Sequence, residues 1–142
     1  MSRTALGLSF LAAFAFAVPS LAHAELINFK ADMNSAQEVP PQVSAGSGVA
    51  ILTLDTATKV LGYKVTYSNL TSPATAAHMH GPALPGANAG VVVPFKDPAS
   101  PIVGTTPLTD AQIADLMAGK YYVNVHTSIN KGGEIRGQVV KQ

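Results

Sequence analysis

The chain has 142 residues, 47% of them hydrophobic and only 12% charged. Read whole, that balance points toward a membrane protein, but the apolar excess is concentrated at the N-terminus. Residues 5–18 are Ala, Leu, Phe and Val broken only by Gly7 and Ser9, with Arg3 before them and Pro19 and Ser20 after. Ala22-His23-Ala24 then supplies the small-x-small pattern that a signal peptidase reads. The run is shorter than the roughly 20 residues a spanning helix needs. Residues 1–24 are therefore expected to be a cleaved secretory signal rather than an anchor, leaving 25–142 as one domain, exported to a periplasm or to the exterior. Without Arg3 the nine Lys and Arg fall to eight, equal to the eight Asp and Glu. A neutral domain with scattered charges lacks the basic patch that neutralises phosphates, which excludes nucleic-acid and polybasic membrane binding. No later segment is apolar for long enough to span a membrane. With no Cys in the chain, disulfides and thiolate chemistry are excluded as well.

From residue 25 onward, Leu26, Asn28 and Lys30 alternate with Ile27, Phe29 and Ala31, the period of a strand with one buried face. Residues 34–48 are polar and carry two prolines and two glycines, which predicts an irregular loop. Residues 49–54 and 60–67 are rich in β-branched and aromatic side chains, and Asp55-Thr-Ala-Thr-Lys59 between them suits a hairpin. A fourth strand is expected over 75–80. A loop of Gly, Pro, Ala and Asn at 81–90 leads to a short strand at 91–95. The one convincing helix spans 110–118, with Thr109 and Gln112 forming a capping box and Gly119 closing it. Ile113, Leu116 and Met117 form its expected buried stripe. The chain ends in a hairpin of 121–127 and 134–140. About seven to eight short strands with one helix in a connection predict an all-β Greek-key sandwich or small barrel.

Three histidines follow residue 24: His78, His80 and His126, all in predicted strands. Residues two apart in a strand share a face and stand roughly 6.5–7 Å apart. Two imidazoles so placed can converge on one ion through bonds of about 2.0–2.1 Å. Ala77 and Met79 suit the core, which turns His78 and His80 outward. Val123 and Val125 do the same for Tyr122, Asn124 and His126. The three imidazoles meet if their strands are neighbours, and adjacency is what the sequence leaves open. The plainer reading is three solvated or hydrogen-bonded side chains. A three-His set without Cys suits copper, or less well zinc, and leaves a coordination position open. Met79 reads as core packing, whereas Met33, beside the irregular loop, stays a candidate soft ligand. Glu134 and Arg136 share a parity in the last strand. Glu134 fits an acceptor that orients a ligand imidazole, and Arg136 fits a charge that attracts an anion. For each, a surface cross-strand ion pair is the simpler account. Tyr63 and Tyr67 read as packing.

Six segments in this order resemble the CHRD domain, the repeated module of chordin that also occurs as single exported domains in bacteria. They are Ala36-Gln-Glu-Val-Pro-Pro41, Gly48-Val-Ala50, Ala77-His-Met-His-Gly-Pro82, Leu108-Thr-x-x-Gln112, Gly119-x-Tyr-Tyr-Val-Asn-Val-His-Thr127 and Gly132-Gly-Glu-Ile-Arg-Gly-Gln138. The resemblance covers residues 25–140 and implies an all-β, sandwich-like extracellular domain, with no settled enzymatic activity. Chordin's growth-factor antagonism does not carry over to a lone domain. A more distant likeness is to copper-zinc superoxide dismutase. There His78, His80 and His126 match copper-side histidines, and Arg136 matches the arginine that guides superoxide. The bridging histidine, the zinc loop and the cysteine pair are missing, which excludes a two-metal dismutase and leaves a copper-only one open.

The sequence is thus read first as an exported CHRD-domain protein that holds or delivers one copper ion. The alternative is a non-catalytic adhesion or interaction module. It would bind another exported or cell-surface protein through loops 34–48 and 81–90, and its histidines would be structural. A copper-only oxidoreductase comes third. A hydrolase finds no support, because there is no Gly-x-Ser-x-Gly and no recognisable carboxylate pair.

Overall fold

Alternation of buried and exposed side chains along short strands builds one antiparallel sheet that curls until its edges nearly meet. The computed structural model describes residues 24–142. The predicted leader, apart from Ala24, lies outside the described residues. The strands are β1 (Leu26–Asn34), β2 (Ser47–Asp55), β3 (Val60–Ser68), β4 (Ala74–His80), β5 (Val91–Pro94), β6 (Ile102–Pro107), β7 (Tyr122–Thr127), β8 (Ile135–Gln138) and β9 (Val140–Lys141). Helix α1 (Asp110–Met117) links β6 to β7. Strand order is β5-β4-β7-β8-β1-β2-β3-β6, with β9 also paired to β1. The all-β, barrel-like architecture with one short helix is as the sequence predicts.

The core follows from parity. Ile27, Phe29, Ala31 and Met33 of β1 point inward, against Ala50, Leu52 and Leu54 of β2. Each fully buried Phe or Leu contributes about 1.5–3 kcal/mol. The expected hairpin forms over β2 and β3, its loop fastened by Asp55 Oδ1, which accepts from the amides of Ala57 and Thr58. Near the two ends of the sheet, Phe95 stacks on Tyr63 with centroids 4.5 Å apart. Tyr63 and Tyr67 pack against the core as expected.

Three local expectations need correction. Strand β6 is additional to those expected, because Pro101, Gly104 and Pro107 read as punctuation. It is an edge strand paired with β3 alone, where proline costs no ladder bond on the open side. Met33 is buried in the core at 2% exposure and is not a free ligand; β1 runs on to Asn34, past the alternation that ends at Ala31. In α1 the capping box forms as predicted, with Thr109 accepting from the Gln112 amide and Gln112 Oε1 accepting from the Thr109 amide. Its buried stripe is narrower, however. Leu116 is buried while Met117 is 40% exposed, because the helix lies on the outside of the sheet. No helix among the described residues is long and apolar enough to cross a membrane.

Candidate metal centre

Strands β4 and β7 are antiparallel neighbours, which supplies the adjacency that the sequence left open. Their register sets His78 opposite Asn124, His80 opposite Tyr122 and Ala76 opposite His126. Ala77 and Met79 fill the core as expected, and the three histidines share the other face. A register shift between Met79 and His80 on the β5 side re-aims the end of β4.

That face is only partly open to solvent, with His78 and His126 half-buried. His80 is 9% exposed, Tyr122 and Asn124 3% each. Loops 34–46 and 81–90 cover it, and Asn88 Nδ2 ties them together by donating to the Val39 carbonyl at 2.9 Å. The outward direction read from parity is correct for the strand, while the environment differs along it: His80 is buried and His78 and His126 are half-buried. Burial of an outer face depends on loops that parity does not see.

The imidazoles converge. His78 Nδ1 lies 3.1 Å from His126 Nε2. One nitrogen from each ring falls within 4.8 Å of the others. The three atoms therefore lie within about 2.8 Å of a common centre, close to the bond lengths of about 2.0–2.1 Å that an ion would impose. Backbone carbonyls set the tautomers. His80 Nδ1 faces the Ala89 carbonyl at 3.0 Å, and His126 Nδ1 faces that of Lys131 at 3.0 Å. With the ring proton held on Nδ1, Nε2 of each ring carries the lone pair, and that of His126 lies where His78 Nδ1 can donate to it. His80 Nε2 is buried without any hydrogen-bond partner, the state of a nitrogen built to meet something else. Burial lowers the pKa of His78, and the neighbouring His126 and His80 lower it further. Burial likewise lowers that of His80, against a raising effect from the Ala89 carbonyl. Neutral imidazole is the form that binds metals.

Tyr122 supports the cluster from below. His80 stacks on its ring, with planes 2° apart and centroids 4.9 Å apart. On the β8 side the Arg136 guanidinium carbon stands 3.4 Å from the same ring's centroid. Arg136 donates to Asn88 Oδ1 at 3.0 Å and to the Ala87 carbonyl at 2.7 Å, so it fastens the loop that presents Ala89 to His80. Arg136 is 1% exposed and stands at the back of a cavity shared with Glu38 and Gln138.

Glu134 sits elsewhere. Expected beside a ligand imidazole or in a surface ion pair, it is fully buried among hydroxyl groups. Its carboxylate accepts from Ser44, Thr127 and Thr71, the last through both hydroxyl and amide. Burial acts to raise its pKa, but these donors win and bring it to about 2. The reason is register: Glu134 precedes β8 and turns toward the 44 and 71 segments, away from β4.

Two residues beside the cluster escape sequence reasoning. Asn124 is legible only as a polar residue sharing parity with His126. Glu38, in the Ala36–Pro41 segment, is 4% exposed and faces Asn124 and Arg136. Burial pushes its carboxyl up to about 7 even with Arg136 nearby. No sequence signal connects residues 38 and 124.

A comparison with protein families matches the CHRD-domain model over residues 29–139. Comparisons with curated proteins and with solved structures gave no match. The match spans both covering loops, all three histidines and the Gly132–Gln138 segment, and the chain belongs to the CHRD domain family.

Proposed function

We propose that this CHRD domain is exported, binds one copper ion through His78, His80 and His126, and holds that ion or passes it on outside the cytosol. The observation that carries the reading is His80 Nε2, a buried nitrogen with a fixed tautomer and no partner, beside two other imidazoles. The donor set fits. Three neutral imidazoles without a thiolate suit copper or zinc, and copper stands above zinc in intrinsic affinity for nitrogen sites. Bound there, copper would supply an open coordination position for transfer to another exported or cell-surface protein. Export rests on the apolar run of residues 5–18 and the Ala22-His-Ala24 pattern, which favour a periplasmic or extracellular location. An oxidoreductase is less well supported, because Arg136 is buried and both its terminal nitrogens donate to loop 81–90.

Titration of metal-free protein with Cu(II) and Zn(II) tests the reading. We expect a single equivalent of Cu(II) to bind more tightly than micromolar, and His80→Ala and His126→Ala each to abolish that binding. Survival of the site in both variants would sink the three-histidine assignment.

A further inference from the structure

Asn124 occupies the middle of the histidine cluster. Its Oδ1 lies 3.0 Å from His126 Nε2. A neutral imidazole has one N–H, and for His126 the Lys131 carbonyl takes it at Nδ1. Nε2 then turns a lone pair toward an amide oxygen that also has only lone pairs, and a proton on His78 Nδ1, 3.1 Å away, can satisfy the nitrogen but not the oxygen. A cation between them satisfies both. Ligand atoms on one tetrahedral ion with bonds of about 2.0–2.1 Å stand about 3.3 Å apart, close to the 3.0 and 3.1 Å that separate His126 Nε2 from Asn124 Oδ1 and His78 Nδ1.

Glu38 lies on the other side of this amide. Its Oε1, buried without a hydrogen-bond partner, and Asn124 Nδ2 both border the space over Gly133, so the carboxyl is on the nitrogen side while Oδ1 faces the histidines. Gly133 makes the arrangement feasible. At φ 129 it has no side chain, and a Cβ there would collide with the Glu38 carboxylate and stand 2.9 Å from Asn124 Nδ2.

The geometry points to Asn124 Oδ1 as a fourth ligand of the ion held by His78, His80 and His126, with Glu38 as the positioning residue that aims it. This rests on the three-histidine reading above. A side-chain amide oxygen is a neutral, weak donor of a kind that copper sites accept. It would fill out the coordination without adding charge and without preventing release.

The test compares the parent with Asn124→Ala, Asn124→Asp, Glu38→Ala and Glu38→Gln, by Cu(II) titration with electron paramagnetic resonance and visible absorption. Asn124→Ala should still take a single equivalent, with affinity lowered about 10–100-fold and a changed copper hyperfine splitting and d–d band. Asn124→Asp, which keeps an oxygen there, should restore affinity. Glu38→Ala should move the spectra in the same direction as Asn124→Ala. Glu38→Gln can still accept from the amide and should resemble the parent. If Asn124→Ala does not fold, the carbonyl carbon of Asn124 in isotope-labelled parent, followed on Zn(II) loading, decides between the outcomes: a large shift supports ligation and an unmoved resonance overturns it. A parent that binds no metal overturns this inference and the three-histidine reading together. Copper binding with Asn124→Ala unchanged in affinity and spectra overturns the Asn124 assignment alone.

Discussion

The His80 imidazole lies flat on the Tyr122 ring, their planes 2° apart, while the Tyr122 hydroxyl accepts from the Ala89 amide at 3.1 Å. One side chain thus holds both the candidate ligand and the loop whose carbonyl fixes that ligand's tautomer. Tyr122→Phe keeps the ring and removes the hydroxyl, and should cost about 1 kcal/mol of stability with little change in metal affinity. Tyr122→Ala removes the platform and should weaken Cu(II) binding about 10–100-fold. Urea unfolding and copper titration of the two variants separate these effects.

Glu134 predicts an acid limit to stability. Its folded pKa, about 2, lies below the ordinary carboxylate value of 4.5. The unfolded chain therefore takes up the proton first, so the stabilisation is complete above pH 4.5 and is lost as pH falls toward 2. The difference corresponds to a contribution on the order of 3 kcal/mol at neutral pH. Glu134→Gln should lose that contribution and show a flatter dependence of urea midpoint on pH between those values. A parent and variant with the same slope would show that the hydroxyl cage does not favour the ionised form.

Met79 lies between His78 and His80 in sequence but points into the core at 0% exposure. Met79→Leu should cost less than about 1.5 kcal/mol and leave Cu(II) and Cu(I) binding unaltered. A selective loss of Cu(I) binding would make the thioether a ligand and overturn the assignment of Met79 to the core.

The ends of α1 are a control that makes no contact with the three histidines. Thr109→Ala removes the capping box and should cost about 1 kcal/mol. Gly119 adopts φ 69, so Gly119→Ala should cost about 1 kcal/mol as well. Both variants should bind copper like the parent, which calorimetry together with metal titration can check.

Much of the strand pattern is readable locally. The alternation at Ile27, Phe29 and Ala31, the hairpin around Asp55 and the Thr109 capping box each depend on residues within a few positions of one another. Strand β6 is hidden because Pro107 within it is tolerated only at an edge, and edge position is a property of the whole sheet. Met33 and Met117 depart from expectation for the same reason, since how far β1 continues and how much of α1 is covered depend on neighbours remote in sequence.

The sequence by itself determined the face on which each candidate ligand stands, because strand parity is fixed by the covalent chain, and the family segments were present in their order. Only the tertiary structure decided that β4 and β7 are paired, which brings His78 to 3.1 Å from His126. It alone decided that two loops close over this face, burying Asn124, Tyr122 and Glu38. It also sent Glu134 to a cage of hydroxyls and left Arg136 over Tyr122, although the two stand two residues apart. Pairing and covering are set by the summed burial of many remote side chains, and local spacing carries no record of that sum.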